Sequence, residues 1–170
     1  MSSLIKGIHH ISISVPSIEK AKDFFVDLLG FELVDEVRFR PTKDGDSVTE
    51  LKDADSKMIM VNAGNIFIEI FEFITPKPDS SKKRKAVNEL GYTHFAIEVT
   101  DIEKSYLELE QGGVKWHHPP IDSGDGYLMT YGRDPFGNVI EIQDAVQERV
   151  KKIAIDDQLA KEVGEKVEGR

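Results

Sequence analysis

The sequence predicts an α+β fold assembled from two copies of one module, followed by a C-terminal helix, and three observations carry that prediction. The segment His10-Ile11-Ser12-Ile13-Ser14-Val15-Pro16-Ser17-Ile18-Glu19-Lys20 returns as His94-Phe95-Ala96-Ile97-Glu98-Val99-Thr100-Asp101-Ile102-Glu103-Lys104. In both copies the apolar residues alternate first and then fall at helical spacing. Each copy later shows a glycine-asparagine start and an apolar strand carrying a carboxylate. Gly64-Asn65 leads to Ile68-Glu69-Ile70, and Gly137-Asn138 leads to Ile140-Glu141-Ile142.

In the first copy Ile11, Ile13 and Val15 point to one side of a strand, with His10, Ser12 and Ser14 on the other. Ser17 stands at the N-cap position, and Ile18, Ala21, Phe24, Phe25, Leu28 and Leu29 form the apolar stripe of a helix that Gly30 ends. From Glu36 to Lys57 the chain is polar, and Asp44-Gly45-Asp46 predicts a tight turn with strands on either side. Met58 to Val61 and Ile66 to Ile74 read as an antiparallel hairpin turning at Asn62-Ala63-Gly64-Asn65. Residues 76–90, with Pro76, Pro78 and the basic run Lys82-Lys83-Arg84-Lys85, read as a solvated linker.

The second copy repeats the plan. Phe95, Ile97 and Val99 form the apolar side of its first strand, Asp101 caps the helix, Ile102, Tyr106 and Leu109 make the stripe, and Gly112-Gly113 end it. Tyr127 to Tyr131 and Val139 to Gln143 are strands, joined by the turn Arg133-Asp134-Pro135-Phe136-Gly137-Asn138. The expected organisation is therefore one domain over 1–144, with modules at about 5–75 and 91–144. A charged, helix-favouring tail at 145–170 follows, with Val146, Val150, Ile153, Leu159, Val163 and Val167 as its apolar positions.

A net charge of −9 argues against a general nucleic-acid or anionic-membrane partner. The absence of cysteine excludes disulfides and thiolate metal sites, and is compatible with a reducing cytoplasm. With no secretory pattern and no apolar run of roughly 20 residues, a cytoplasmic protein acting on a small molecule is expected.

The polar faces of the strands hold the chemistry. His10 and His94 open equivalent strands, and Glu69 and Glu141 stand at equivalent places in the later ones. A lone histidine or glutamate would be an ordinary rim residue. Packing does not explain their return in both halves, because it would favour valine or isoleucine there. If the halves pair about a pseudo-twofold axis, the four meet on one concave surface lined partly by Phe67, Phe71 and Phe73. Two imidazoles and two carboxylates suit one divalent cation, zinc or nickel first, with iron, manganese and cobalt as alternatives.

The doubled His-x-x-Ile-x-Val pattern, the capped helix, Leu-Gly-Phe and the ending Asp134-Pro135-Phe136-Gly137-Asn138-Val139-Ile140-Glu141 resemble the vicinal oxygen chelate superfamily over roughly residues 5–144. That superfamily includes glyoxalase I, methylmalonyl-CoA epimerase, extradiol dioxygenases, and the fosfomycin and bleomycin resistance proteins. The resemblance implies paired βαβββ modules whose curved mixed sheet forms a metal cup. It implies His10, Glu69, His94 and Glu141 as ligands, with Glu72 a less favoured alternative to Glu69, and the four-ligand set is similar to that of glyoxalase I. It further implies a lyase or isomerase acting through an enediolate, with Glu141 or Glu69 as general base and Glu98 as a third candidate. Ser14 and Phe73 stand where bacterial glyoxalase I has a glutathione-binding arginine and asparagine, so a less polar substrate than a glutathione adduct is expected. Arg38, Arg133, Tyr127 and Tyr131 are candidate specificity residues. A ferrous extradiol-type dioxygenase and a non-catalytic sequestering resistance protein are the alternatives. A homodimer is expected, with the tail helix as a participant.

Overall fold

The structure is a computed structural model that describes residues 4–79, 86–124 and 126–145. The basic run Lys82-Lys83-Arg84-Lys85 and the expected tail helix beyond Ala145 lie outside the described residues. The chain divides into two compact units, Met1–Lys83 and Arg84–Arg170, and each contains one copy of the repeat.

In the first unit β1 (His10–Ser14) runs into a helix that starts as α1 (Ile18–Ala21) and widens into a π-helical stretch, Lys22–Leu28. Three more strands follow, β2 (Glu32–Phe39), β3 (Asp55–Asn62) and β4 (Phe67–Thr75), with α2 (Lys43–Thr49) inserted between β2 and β3. The sheet order is β1-β4-β3-β2, with β1 parallel to β4 and the other pairs antiparallel. Alternation sends Ile59, Val61, Ile68 and Ile70 to one face, where they are buried with Ile18, Ala21, Phe24 and Phe25 of the helix. Each such large side chain contributes roughly 1.5–3 kcal/mol of burial. Ser17 caps the helix as the spacing predicts, accepting the Lys20 N–H at 3.4 Å.

The Asp44-Gly45-Asp46 segment is a correction. It forms the body of α2 rather than a tight turn, because Thr42 accepts the Gly45 N–H at 3.0 Å and starts a helix there. Asp46 then caps the returning chain by accepting the Asp53 and Ala54 amides at 2.8 and 2.9 Å. The hairpin turn falls where the sequence puts it, with Gly64 at φ 98, a region that glycine enters without a Cβ penalty.

The second unit repeats the topology with β5 (His94–Glu98), α3 (Ile102–Gln111), β6 (Lys115–Trp116), β7 (Ile121–Asp122), β8 (Tyr127–Arg133) and β9 (Val139–Ala145). Its order is β5-β9-β8-β6, with β7 also on β8. Asp101 caps α3 by accepting the Lys104 N–H at 3.0 Å, and the helix buries Ile102 and Leu109. Trp116 donates its indole N–H to the Tyr106 carbonyl at 3.0 Å and stacks on the Tyr106 ring. The Asp134 carboxylate, 3% exposed, holds the β8–β9 turn by accepting the Phe136 and Asn138 amides and the Asn138 side-chain N–H. Burial pushes its carboxyl above the usual value, against the opposing pull of the Asn138 side chain and the turn amides.

Candidate metal centre

The first strand of each unit pairs in parallel with its last, and that pairing builds the site. In the first unit Ser12 stands opposite Glu69, and His10, two residues earlier on the same face, reaches across this small neighbour. Its Nε2 lies 3.1 Å from Glu69 Oε2. In the second unit Ala96 stands opposite Glu141, and His94 Nε2 lies 3.2 Å from Glu141 Oε2. The two pairs form by one construction.

Each imidazole is also engaged on its other nitrogen. His9 Nδ1 is 2.9 Å from His10 Nδ1, and the His9 ring stacks on Phe67. Thr93 Oγ1 is 2.9 Å from His94 Nδ1. In both units the residue before the histidine therefore fixes Nδ1 and leaves Nε2 facing the carboxylate, the arrangement by which metal-binding imidazoles are oriented. Sequence reading passed over His9 and Thr93. A polar side chain immediately before each repeated histidine was the available signal.

The donor set fits a cation. The Nε2–Oε2 separations of 3.1 and 3.2 Å are direct histidine–carboxylate contacts, and they also equal the about 3.0–3.4 Å between two neighbouring donors of one ion bound at about 2.0–2.2 Å. Each unit gathers two donors, and no cluster of three or more such side chains able to hold a metal occurs among the described residues.

Glu72 turns to the opposite face from Glu69. Its Oε2 accepts the Ile18 N–H at 2.9 Å and lies 3.6 Å from Lys57 Nζ. Asp144, three residues after Glu141, does the same for Ile102 N–H at 3.2 Å. Both carboxylates cap helices. Glu98 lies exposed at the end of β5, opposite Gln143. Among the expected specificity residues, Arg38 is held by Asp55 through contacts of 3.1 and 2.9 Å, and Arg133 donates to the Gly137 carbonyl at 2.8 Å. Tyr127 opens β8 opposite Ala145. Tyr131 meets the site. It stands opposite Glu141 on the adjacent strand and sets its ring edge-on to His94 at 4.8 Å. Burial first, and then the Glu141 charge, push its hydroxyl above the ordinary value.

The surroundings are apolar. On the first unit Phe39, Phe71 and Phe73 stack in a ladder along the face that carries Glu69. On the second unit a cavity of about 440 Å³ opens beside His94, lined among others by His117, His118, Ile121, Met129 and Tyr131. Sequence analysis did not single out His117 and His118, which lie in the connection between β6 and β7, or Met129, which lies within β8.

A protein of Bacillus subtilis, YwkD, is 29% identical over 132 residues, 78% of this chain and 91% of that one. A 2-epi-5-epi-valiolone epimerase of an Actinomyces species is 28% identical over 149 residues, 80% of this chain and 78% of the epimerase. A glyoxalase family protein of Bacillus cereus shares the fold with a TM-score of 0.76 at 23% identity, covering 85% of this chain and 97% of its own. The family pattern of the Glyoxalase/Bleomycin resistance protein/Dioxygenase superfamily matches residues 7–142, an interval that contains both histidine–glutamate pairs, and the chain belongs to that superfamily.

Proposed function

We propose that the protein is a divalent-metal-dependent lyase or isomerase of the glyoxalase type, moving a proton between adjacent carbons of a small oxygenated substrate. The observation that carries this reading is the duplicated Nε2–Oε2 pair at cation-edge spacing, with each imidazole oriented through Nδ1. His10, Glu69, His94 and Glu141 would hold one ion, zinc or nickel in first place. The bound ion supplies a Lewis acid that stabilises negative charge on neighbouring substrate oxygens. A carboxylate of the set, Glu69 or Glu141, accepts the carbon-bound proton and returns it to the adjacent carbon.

The walls select the substrate. The Phe39, Phe71 and Phe73 ladder, and Ser14 in place of a cation, favour a compact substrate with an apolar body over an anionic conjugate. The epimerase relative supports proton transfer as the reaction class. A single domain over 1–144 acting as a homodimer completes the reading. No helix among the described residues is long and apolar enough to cross a membrane.

The deciding experiment is metal analysis of the purified protein, followed by incubation with small hydroxy-ketones and hydroxy-acids in deuterated water. One zinc or nickel per chain, with deuterium entering a substrate carbon, supports the reading. Iron with oxygen uptake on a catechol would replace it by the dioxygenase, and small-molecule binding without any metal by the sequestering protein.

A further inference from the structure

The cavity of about 440 Å³ beside His94 has Pro119, Ile121 and Met129 in its wall, so the few polar atoms on it decide what it recognises. Two of its side chains have their protons assigned by their partners. His118 Nδ1 lies 2.7 Å from the Pro119 carbonyl oxygen, which can only accept, so the proton of the neutral imidazole sits on Nδ1. Nε2, on the far edge of the ring, is then a lone pair. Thr130 donates its hydroxyl proton to the His118 carbonyl at 2.6 Å and keeps only lone pairs for a further partner. We infer that His118 is a hydroxyl-binding residue of this cavity, and that the substrate carries a hydroxyl group, beyond the oxygens that chelate the cation, which it donates to His118 Nε2.

The backbone around His118 is fastened to β8. The His117 N–H donates to the Tyr131 carbonyl at 2.8 Å, and the Thr130 bond holds the His118 carbonyl one residue later. The His118 residue itself stays exposed, so a ligand in the cavity can reach it. Its proton is assigned more firmly than that of His94, whose Nδ1 faces the Thr93 hydroxyl, a group that can donate or accept. A lone pair on an apolar wall discriminates by sign. A hydroxyl placed against it gains a hydrogen bond, whereas an ether or carbonyl oxygen meets a second lone pair and leaves both groups unsatisfied.

This inference names a feature of the substrate within the proposed function and rests on that reading, but its measurements use metal-free protein. The probes are cis-cyclohexane-1,2-diol and its dimethyl ether, which keeps both oxygens and has no proton to donate. In nitrogen NMR at about pH 8, His118 should show its proton on Nδ1, and the diol should shift the Nε2 signal saturably while the ether leaves it in place. H118F is expected to bind the diol about 3–10-fold more weakly, the loss of one hydrogen bond. H118Q, whose side-chain oxygen supplies an acceptor, should stay within about twofold of wild type. Thermal unfolding verifies that both variants are folded, and the comparison of diol with ether on the wild type needs neither. A proton on Nε2, equal binding of diol and ether, or no saturable binding of the diol overturns the inference. So does wild-type affinity in H118F, or an H118Q as weak as H118F. A protein that takes up no divalent ion loses the proposed function, whereas the diol and ether titrations alone decide the role of His118.

Discussion

The Glu72 carboxylate accepts the amide proton of Ile18 at 2.9 Å across 54 residues of chain, tying the last strand of the first unit to the start of its helix. Asp144 makes the matching bond to Ile102 across 42 residues. Each module thus carries two carboxylates on its last strand, three residues apart and on opposite faces, one beside the histidine and one at the helix. E72A and D144A are each expected to lower stability by about 1–2 kcal/mol in urea titrations, the usual cost of losing a capping acceptor. E72Q, which keeps an acceptor oxygen, should lose less.

Zinc is expected to raise the unfolding temperature of the wild type. Binding to the folded state alone contributes about 2.7 kcal/mol at a ligand concentration 100 times Kd. H10A and H94A should each abolish most of that shift. Calorimetric stoichiometry near one ion per chain is the accompanying measurement, and an equal zinc response in all three proteins would remove both histidines from the ligand set.

The Glu69 side chain is the more accessible of the two carboxylates, 20% against 11% for Glu141, and this separates E69Q from E141Q. E69Q should lower kcat by about 10²-fold or more with a smaller loss of zinc affinity. E141Q should weaken zinc binding first. Equal effects on both quantities in both variants would show that the carboxylates act interchangeably.

Asp46 sets a pH dependence. Amide donation from Ala54 first, and then from Asp53, holds its carboxyl below the usual 3.8. A carboxyl lowered by folding binds fewer protons in the native state than in the unfolded one near its ordinary pKa. Its contribution is therefore complete above that value and is lost as pH falls through the lower folded value. D46N is expected to flatten the acid limb of a stability–pH curve below about pH 4, and an unchanged acid limb would assign that slope to other groups.

Gly132 admits no side chain. A Cβ there would meet Trp116 Cε3 at 2.5 Å and Val114 Cγ1 at 3.0 Å. G132A should cost about 1–3 kcal/mol by overpacking, read as a lower urea midpoint with an unchanged slope. A wild-type midpoint would mean that the indole can tilt away freely.

The strands that carry the site were legible because each shows strict alternation ending at a capping residue, as in His10 to Ser17 and His94 to Asp101. The tight turn expected at Asp44-Gly45-Asp46 was not, because Thr42 can cap a helix as readily as aspartate and glycine can turn a chain. Strands β6 and β7 contain two residues each, too few for a period to register. Glu72 differs from Glu69 only by strand parity, and that sufficed to prefer Glu69. The contacts of His9 and Thr93 with the two histidines, and of the Tyr131 ring with His94, are made between side chains, which periodicity does not encode.

Parallel pairing of each unit's first strand with its last has a consequence for assembly. Neither donor pair exists in a chain that lacks the last strand of its unit. The imidazole is made early in each unit and waits for a carboxylate supplied by that unit's final strand, so loop closure must be complete before the two groups meet. Metal capture would then act as a seal on finished modules, rewarding only chains that have closed both ends.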